Sequence, residues 1–495
     1  MLLGLDLGTS NVKALVASPS GEALGQGAAP VRLFHVGTGG VEQDLEEIWS
    51  ATLSAIKQAL RAVNSADIRA VGVSSQGGAM QLLDGRGLPQ GRVVSWLDGR
   101  GRSHNAALTA ELGQEWFAKR IGHGGSGVAV GQLMRLRQEA PEALAPPTRI
   151  GFVGDLIVAR LCGRGAHDGT SAGLTLLYNP TLRRYDPELL KRLGVETAQL
   201  PDLLSPRTAA GGLSAEVAHS TDLRAGIPVS GAVHDQYAAA LGTGAVRPGT
   251  TMLGAGTAWV LLAVSGQPEA SALPSAFVNH HVVEGLYGQI LSLVNGGSAL
   301  AWAAELMGLA SGDSTGIEKL LAAAPAGCEG VRFWPFLAGA GAAGLATRAQ
   351  GRFIGLQLSH GRAHVARAVV EGLAFELKRH IGFLERAGIP VRKLVMGGAA
   401  AASRVTPQIL ADVAGVQVDC LTEPAGSVLG AAILARGLEE PGRSLADLAE
   451  EMVPRARSLG PGPDAALYAE QFKEYLRSLE SEMPEQASIP RQDSK

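Results

Sequence analysis

The sequence predicts an α/β fold built as two similar domains, and three observations carry that expectation. One short pattern occurs twice, half of the 495-residue chain apart. Residues 3–16, LGLDLGTSNVKALV, read as strand, glycine turn, strand, with Asp6, Gly8, Thr9 and Ser10 at the centre. Residues 250–264, TTMLGAGTAWVLLAV, repeat it with Gly254, Gly256, Thr257 and Ala258. The second observation is the order strand, glycine pair, helix, strand, helix over residues 391–437, an α/β pattern whose ligands sit at strand carboxyl ends. The third is composition. With 66 glycines and 4% aromatic residues, the chain favours tight turns and a core of Leu, Val, Ile and Ala.

The elements follow in order. Strands are expected at 2–7 and 12–17, then a turn at Ser18-Pro19-Ser20-Gly21 and a third strand from Glu22. Residues 44–62 place Leu45, Ile48, Leu53, Ile56, Ala59 and Leu60 at helical spacing. Strands at 68–74 and 79–83 follow, the second ending at the turn Asp84-Gly85-Arg86-Gly87. Residues 122–127 and 141–148 read as loops. A strand over 227–232 runs into His234-Asp235-Gln236, where a helix begins. The first domain is expected to span residues 1–247.

The second domain, 248–438, opens with the repeated hairpin. A long helix is expected over 363–387, a buried strand over 391–396, and the turn Gly397-Gly398. A helix over 403–414 would be capped by Ser403, followed by a strand over 416–421 and a helix over 428–437. The remainder, 439–495, turns charged and rich in proline and glycine. Residues 464–482 read as a surface helix and the last dozen as disordered.

Composition narrows the function. The chain is 46% hydrophobic and 18% charged, ordinary for a folded enzyme. A net charge of −3 supplies no basic field for nucleic acid and no polybasic membrane anchor. Cys162, Cys328 and Cys420 are far apart and odd in number, which suits reduced thiols in a cytoplasmic protein. Neither a signal peptide nor a membrane span is visible.

The Gly-Thr hairpin tips carry the first chemical reading. Glycine lets the backbone approach an anion, and the exposed amides and threonine hydroxyl donate to it. Two such tips suit phosphate-binding loops facing each other across a cleft; the alternative is two ordinary glycine hairpins. No G-x-x-x-x-G-K-[ST] occurs, so a P-loop is excluded. The G-x-G-x-x-G of residues 339–344 follows no clean strand and carries little weight. His280-His281 lacks partners at metal spacing and reads as structural.

At this point several stretches together resemble the FGGY-type carbohydrate kinases of the actin/hexokinase/heat-shock-70 superfamily. The N-terminal run resembles that family's first phosphate motif. WLDGRGR (residues 96–102) is similar to its W-x-D-x-R element near the sugar. GRFIGL (351–356), followed by HVARAVVE (364–371), resembles its C-terminal signature, and VMGGAAAASRVTPQILADVAG (395–415) its adenosine motif. The likeness covers about residues 2–437 and is nearest to the xylulokinase-like members.

The resemblance implies two ribonuclease-H-like (actin-like ATPase) domains flanking a deep cleft, with ATP and Mg²⁺ as cofactors. Asp6 would hold Mg²⁺ through water, since a carboxylate there would otherwise repel phosphate; the plain alternative is a turn-capping Asp. Gly8, Thr9, Ser10, Gly256, Thr257, Gly397 and Gly398 would contact the nucleotide. Lys13 either adds positive charge near the phosphates or is an exposed strand lysine. Asp235 would be the catalytic base that accepts the acceptor hydroxyl's proton. Gln76, Gly77, Gly78, Trp96, Asp98, His234 and Gln236 would line the acceptor site.

Three departures from the family bear on the acceptor and the nucleotide. Xylulokinase-like chains carry Gln-Met-His-Gly where this chain has Gln76-Gly77-Gly78-Ala79, so a side chain is missing at Gly78. Residues 334–351 keep the Trp-Pro-Phe lead but lose the family's charged residues. Ala399–Ala402 replaces a third glycine and an Arg or Asn in the adenosine motif. Phosphorylation of a small sugar or polyol by ATP is expected, with a ketopentose such as D-xylulose first. Another ketose, polyol or sugar acid stays open, as do an actin- or chaperone-like ATPase and a sugar-binding module without catalysis. The family's habit leaves a homodimer open.

Overall fold

The computed structural model describes residues 1–268, 276–310, 312–339, 349–421, 426–454 and 457–482. The chain divides into two compact units. The first comprises Met1–Arg247, Ser265–Gly288 and Pro424–Pro454; the second comprises Pro248–Val264, Gln289–Glu423 and Arg455–Lys495.

The first unit is organised by a sheet whose strand order is Asp202–Leu203, Ala166–His167, Pro228–His234, Ala70–Ser75, Leu2–Leu7, Asn11–Ala17, Ala23–Pro30. Leu2–Leu7 pairs antiparallel with its hairpin partner and parallel with Ala70–Ser75, which is itself parallel to Pro228–His234. Leu3, Leu5 and Leu7 alternate with Gly4 and Asp6 on this fully buried strand, so both faces must be covered. The helix Leu45–Leu60 covers one of them, capped by Asp44, which accepts from the amides of Glu46 and Glu47.

The helix Ser427–Glu439 covers the other face, although it lies nearly the whole chain away in sequence. Its approach is that of backbone on backbone. A Cβ added at Gly4 or Gly72 would come within 2.3 or 1.8 Å of helix carbonyl oxygens. One at Gly430 would strike the Ala238 carbonyl at 1.8 Å. The small residues of this helix therefore return Pro424–Pro454 to the first unit. The following helix, Leu445–Met452, is half buried with Leu445, Leu448 and Met452 inward, where the sequence suggests only a charged tail.

A second sheet of the first unit joins Phe34–Val36, Gly40–Gln43, Pro89–Val94, Met80–Leu83 and Arg149–Phe152. The helices Arg102–Leu112, Gln114–Ile121, Ala129–Glu139 and Val153–Cys162 follow its early strands and have no counterpart among the sequence expectations.

The second unit repeats the plan. Thr250–Ala255 pairs antiparallel with Trp259–Ser265 and parallel with Lys393–Gly397, which is followed by Gln417–Cys420 and Arg457–Leu459. The long helix Arg362–Arg386 matches its expected span closely. The helix expected from Ser403 starts at Thr406, because Ala399–Ala402 forms a 3₁₀ turn and Pro407 occupies the first turn. Ser403 still caps it, accepting from the Thr406 amide at 2.9 Å.

The helix Ala465–Glu482 is docked rather than superficial. Tyr468 and Tyr475, two helical turns apart on one face, are both fully buried. The Tyr468 hydroxyl donates to Glu371 Oε1 at 2.6 Å and accepts from Arg367 at 3.0 Å, while Tyr475 reaches Glu376. Tyr468→Phe leaves a buried carboxylate and guanidinium short of a partner. It should lower unfolding stability by about 1–3 kcal/mol in urea titration. An unchanged midpoint would show that the tyrosine merely fills space. The glycine-rich residues 340–348 and the end of the tail lie outside the described residues.

Candidate active site

Three adjacent parallel strands of the first unit end side by side, and the chemistry-bearing residues sit at those carboxyl ends. Leu7 and His234 both pair with Ser75. The residues just beyond are thereby gathered: Gly8 and Thr9 from the first strand, Gln76 and Gly77 from the second, Asp235 and Gln236 from the third. The Gln76 amide donates to the Leu7 carbonyl at 2.9 Å, tying the first two exits together. Carboxyl ends of parallel strands are where open α/β sheets place ligands.

Asp6 lies one residue back from the first exit. It is 7% exposed, and each oxygen accepts a serine hydroxyl: Ser74 on Oδ1 at 2.9 Å and Ser427 on Oδ2 at 2.7 Å. Burial pushes its pKa up and the charge of Asp235 adds to that, while the two serines and Lys13 oppose it. Lys13 stands directly opposite Asp6 in the hairpin and is exposed. Nothing in the motif itself points to Ser427, which reaches Asp6 from the returning helix.

Asp235 opens the helix Asp235–Gly242, where the helix dipole favours a negative charge. Its side chain is 29% exposed. Burial raises its pKa to about 6, opposed by the backbone and side chain of Gln236. His234 Nε2 stands 3.3 Å from Asp235 Oδ1. Burial drives the His234 pKa down to about 3, so the ring is neutral at physiological pH. His234 Nδ1 is buried without a hydrogen-bond partner.

The acceptor-side residues form one network of neutral groups. Thr9 Oγ1 donates to Gln76 Oε1 at 3.1 Å and accepts from the Trp96 indole at 2.9 Å. Gln76 Nε2 donates to Gln43 Oε1 at 3.0 Å, and Gln43 Nε2 returns to the Thr9 carbonyl at 2.9 Å. Gln76 and Gln43 are buried, whereas Trp96 keeps 48% of its surface exposed. The one hydroxyl hydrogen of Thr9 is thus spent on Gln76, and what the turn offers a phosphate is backbone and the exposed Ser10 hydroxyl. Gln43 carries no motif and was not foreseeable from the sequence.

Asp98 departs from the expectation that it faces the acceptor. Its side chain is fully buried. It accepts from the Val41 and Arg100 amides at 2.9 Å each, from Gln132 at 3.0 Å, and from the Arg100 guanidinium. Arg100 also reaches Glu42 at 2.8 Å. These bonds hold the Asp98 carboxyl below its usual range against burial. Asp98 therefore fixes the segment bearing Trp96 and is a positioning residue.

The paired glycines are explained by two side chains from elsewhere. A Cβ on Gly77 would come within 2.6 Å of the His234 ring, and one on Gly78 within 2.0 Å of Val128 Cγ1. Gly78 has φ +73°, in the left-handed region. Val128 itself is held at φ 45°, a strained conformation for a β-branched residue. Space left by small residues at 77 and 78 is thus filled by His234 and Val128. Gly78→Ala should lower stability by about 1–3 kcal/mol, from backbone strain and overpacking. Combining it with Val128→Ala should recover part of that loss in a double-mutant cycle; strictly additive effects would contradict the contact.

In the second unit, the hairpin tip Gly256-Thr257 is exposed and stands beside Gly397-Gly398. Gly254 is in register with Gly397, and Gly398, at φ +92°, would place a Cβ 3.0 Å from the Ala255 carbonyl. The helix Gly297–Leu306 starts against this tip, its Gly297 amide donating to the Gly256 carbonyl at 2.9 Å. The result is a glycine-lined notch with exposed backbone.

Comparison with known proteins agrees with this arrangement. The N-terminal domain of the FGGY family of carbohydrate kinases matches residues 1–242, and its C-terminal domain matches residues 252–436. The chain belongs to the FGGY family of carbohydrate kinases. This FGGY chain is 29% identical to the xylulose kinase of Escherichia coli K12, over 95% of its own length and 96% of that protein. It is 30% identical to a glycerol kinase of Gloeobacter violaceus, over 84% of each chain. The crystal structure of a xyloylose kinase from Brucella ovis superposes with a TM-score of 0.89 at 26% identity, covering 98% of this chain and 99% of that one. The α/β fold of two similar halves is that of FGGY kinases. Among the described residues no helix is long and apolar enough to cross a membrane.

Proposed function

We propose that this FGGY family member transfers the γ-phosphate of ATP to a hydroxyl of a small neutral ketose, with D-xylulose the first candidate. The observation that carries the reading is Asp235, an ionisable carboxylate at a parallel strand's exit with pKa about 6, set beside the neutral network of Gln76, Thr9 and Trp96. Asp235 takes the proton of the acceptor hydroxyl as that oxygen attacks phosphorus. His234, neutral, stands beside the carboxylate, its Nε2 3.3 Å from Asp235 Oδ1. Gln76 and Trp96 orient the acceptor, Trp96 by stacking its exposed indole against the apolar face of the sugar.

Neutral groups on the acceptor side, Gln76, Thr9 and Trp96, favour a ketose or polyol over a sugar acid, and Arg100 is committed to Asp98 and Glu42. The choice of xylulose rests on the E. coli and Brucella relatives.

Asp6 suits a hard divalent cation held through water. One buried carboxylate steadied by Ser74 and Ser427 is an all-oxygen donor set, and among the described residues no cluster of three His, Cys, Asp or Glu offers a transition-metal cage. When bound, Mg²⁺ neutralises charge on the transferred phosphate. The amides of Gly8 to Ser10 and the notch at Gly256, Thr257, Gly397 and Gly398 are the proposed nucleotide contacts. ADP production with Mg²⁺–ATP, measured across ketoses, polyols and sugar acids, tests the reading. Stimulation by one neutral acceptor supports it. Acceptor-independent ATP turnover would favour a chaperone-like ATPase instead, and no turnover with any acceptor a binding module.

A further inference from the structure

A second cavity of the first unit, about 390 Å³ in volume, lies at the carboxyl ends of the next two parallel strands of the same sheet, Ala166–His167 and Asp202–Leu203. Two guanidiniums line it, Arg183 and Arg207. Arg183 sits on the tip of the small hairpin formed by Tyr178–Asn179 and Arg184–Tyr185, held at φ 53°. Its charge is felt at both Tyr178 and His280, on the cavity wall. Arg207 buries its Nε with no hydrogen-bond partner. Neither arginine forms an ion pair among the described residues.

Two carboxylates also line the cavity. Glu284 is exposed at the rim. Asp168 is buried and already satisfied, accepting from Thr170 N at 3.0 Å, Thr170 Oγ1 at 2.6 Å and Ser171 N at 3.0 Å. Neither carboxylate forms an ion pair with the two guanidiniums, which line an opening larger than a phosphate, with Tyr178, Leu204 and Pro206 as a less polar wall. A planar fork of donors is suited to a phosphate group.

We propose that this cavity binds a small phosphorylated metabolite, its phosphate on Arg183 and Arg207 and its carbon skeleton against Tyr178, Leu204 and Pro206. The cavity is one hydrogen bond from the catalytic strand. Thr170, in its floor, accepts the His234 amide at 3.1 Å, immediately before Asp235. At the other end of the helix Gly169–Leu174, Leu174 packs against Gly77 and Gly78. A ligand that tightens Arg207 and the Asp168–Thr170 turn therefore acts on the acceptor side of the site.

Thermal unfolding of the full chain with inorganic phosphate, with D-xylulose 5-phosphate and, in parallel, with ADP tests the site. Wild type should show a rise in midpoint with both phosphates. Arg183→Gln and Arg207→Gln should each weaken that response by about tenfold in apparent affinity, the loss of one charge-assisted hydrogen bond, and leave the ADP response unchanged. No phosphate response in wild type, or a double variant that responds like wild type, overturns the site. A sugar phosphate no tighter than inorganic phosphate overturns the metabolite and leaves only an anion subsite. Inorganic phosphate should also shift the acceptor KM in wild type but not in the double variant. That last arm rests on the kinase reading, whereas binding does not, so an unchanged KM with intact binding rejects the coupling alone.

Discussion

Asp235→Asn is expected to reduce kcat by about a thousandfold, within the range spanned by losing a positioned general base. Asparagine keeps the shape and can still accept from Gln236, so the loss isolates proton acceptance. Because the Asp235 pKa is raised to about 6, wild-type kcat/KM should climb with pH through that value and level off above it. The same shift has a cost in stability with a definite sign. A carboxylate whose folded pKa lies above its unfolded value binds its proton more tightly in the native state, so stability is lost as pH rises from about 4 through 6. Asp235→Asn should therefore be more stable than wild type at neutral pH, with the advantage gone in acid. An inactive variant that is also less stable at neutral pH would mean the substitution damaged the fold.

The second large effect belongs to Asp6. Asp6→Asn should lower activity by about 10–100-fold and raise the Mg²⁺ concentration needed for half-maximal rate, as when a group orienting a metal shell is removed. Burial and the charge of Asp235 both raise the Asp6 pKa, so the variant removes a carboxylate whose charge is costly where it lies. Normal Mg²⁺ dependence in a folded Asp6→Asn protein would reduce Asp6 to a structural carboxylate capping Ser74 and Ser427.

Local signals made part of this legible. Both hairpins could be read because a glycine turn between alternating apolar residues is a short-range pattern, and the structure extends the repeat by a parallel strand beside each first strand. Asp235 could be read because a strand running into a helix is visible locally. What failed to show was long-range. The gap implied by Gly77-Gly78 is filled by Val128 and His234, far along the chain, and no spacing rule connects them. Asp98 matched a motif, yet its carboxylate is turned inward by Val41, Arg100 and Gln132, which only the fold brings together. The return of Ser427–Glu439 to the first unit had a trace in the sequence, the run of small residues Gly430, Ala431 and Ala432, but composition alone does not name the surface it fits. Tyr468 and Tyr475, seven apart, were a usable sign that the last helix is docked.

The central claim is that Asp235 serves phosphate transfer to a neutral acceptor. It is tested most directly by following labelled γ-phosphate from ATP onto D-xylulose, in wild type and in Asp235→Asn. Transfer that needs the sugar and falls about a thousandfold in the variant is the predicted result. Release of free phosphate at a rate indifferent to the sugar, or transfer undiminished in Asp235→Asn, would contradict it.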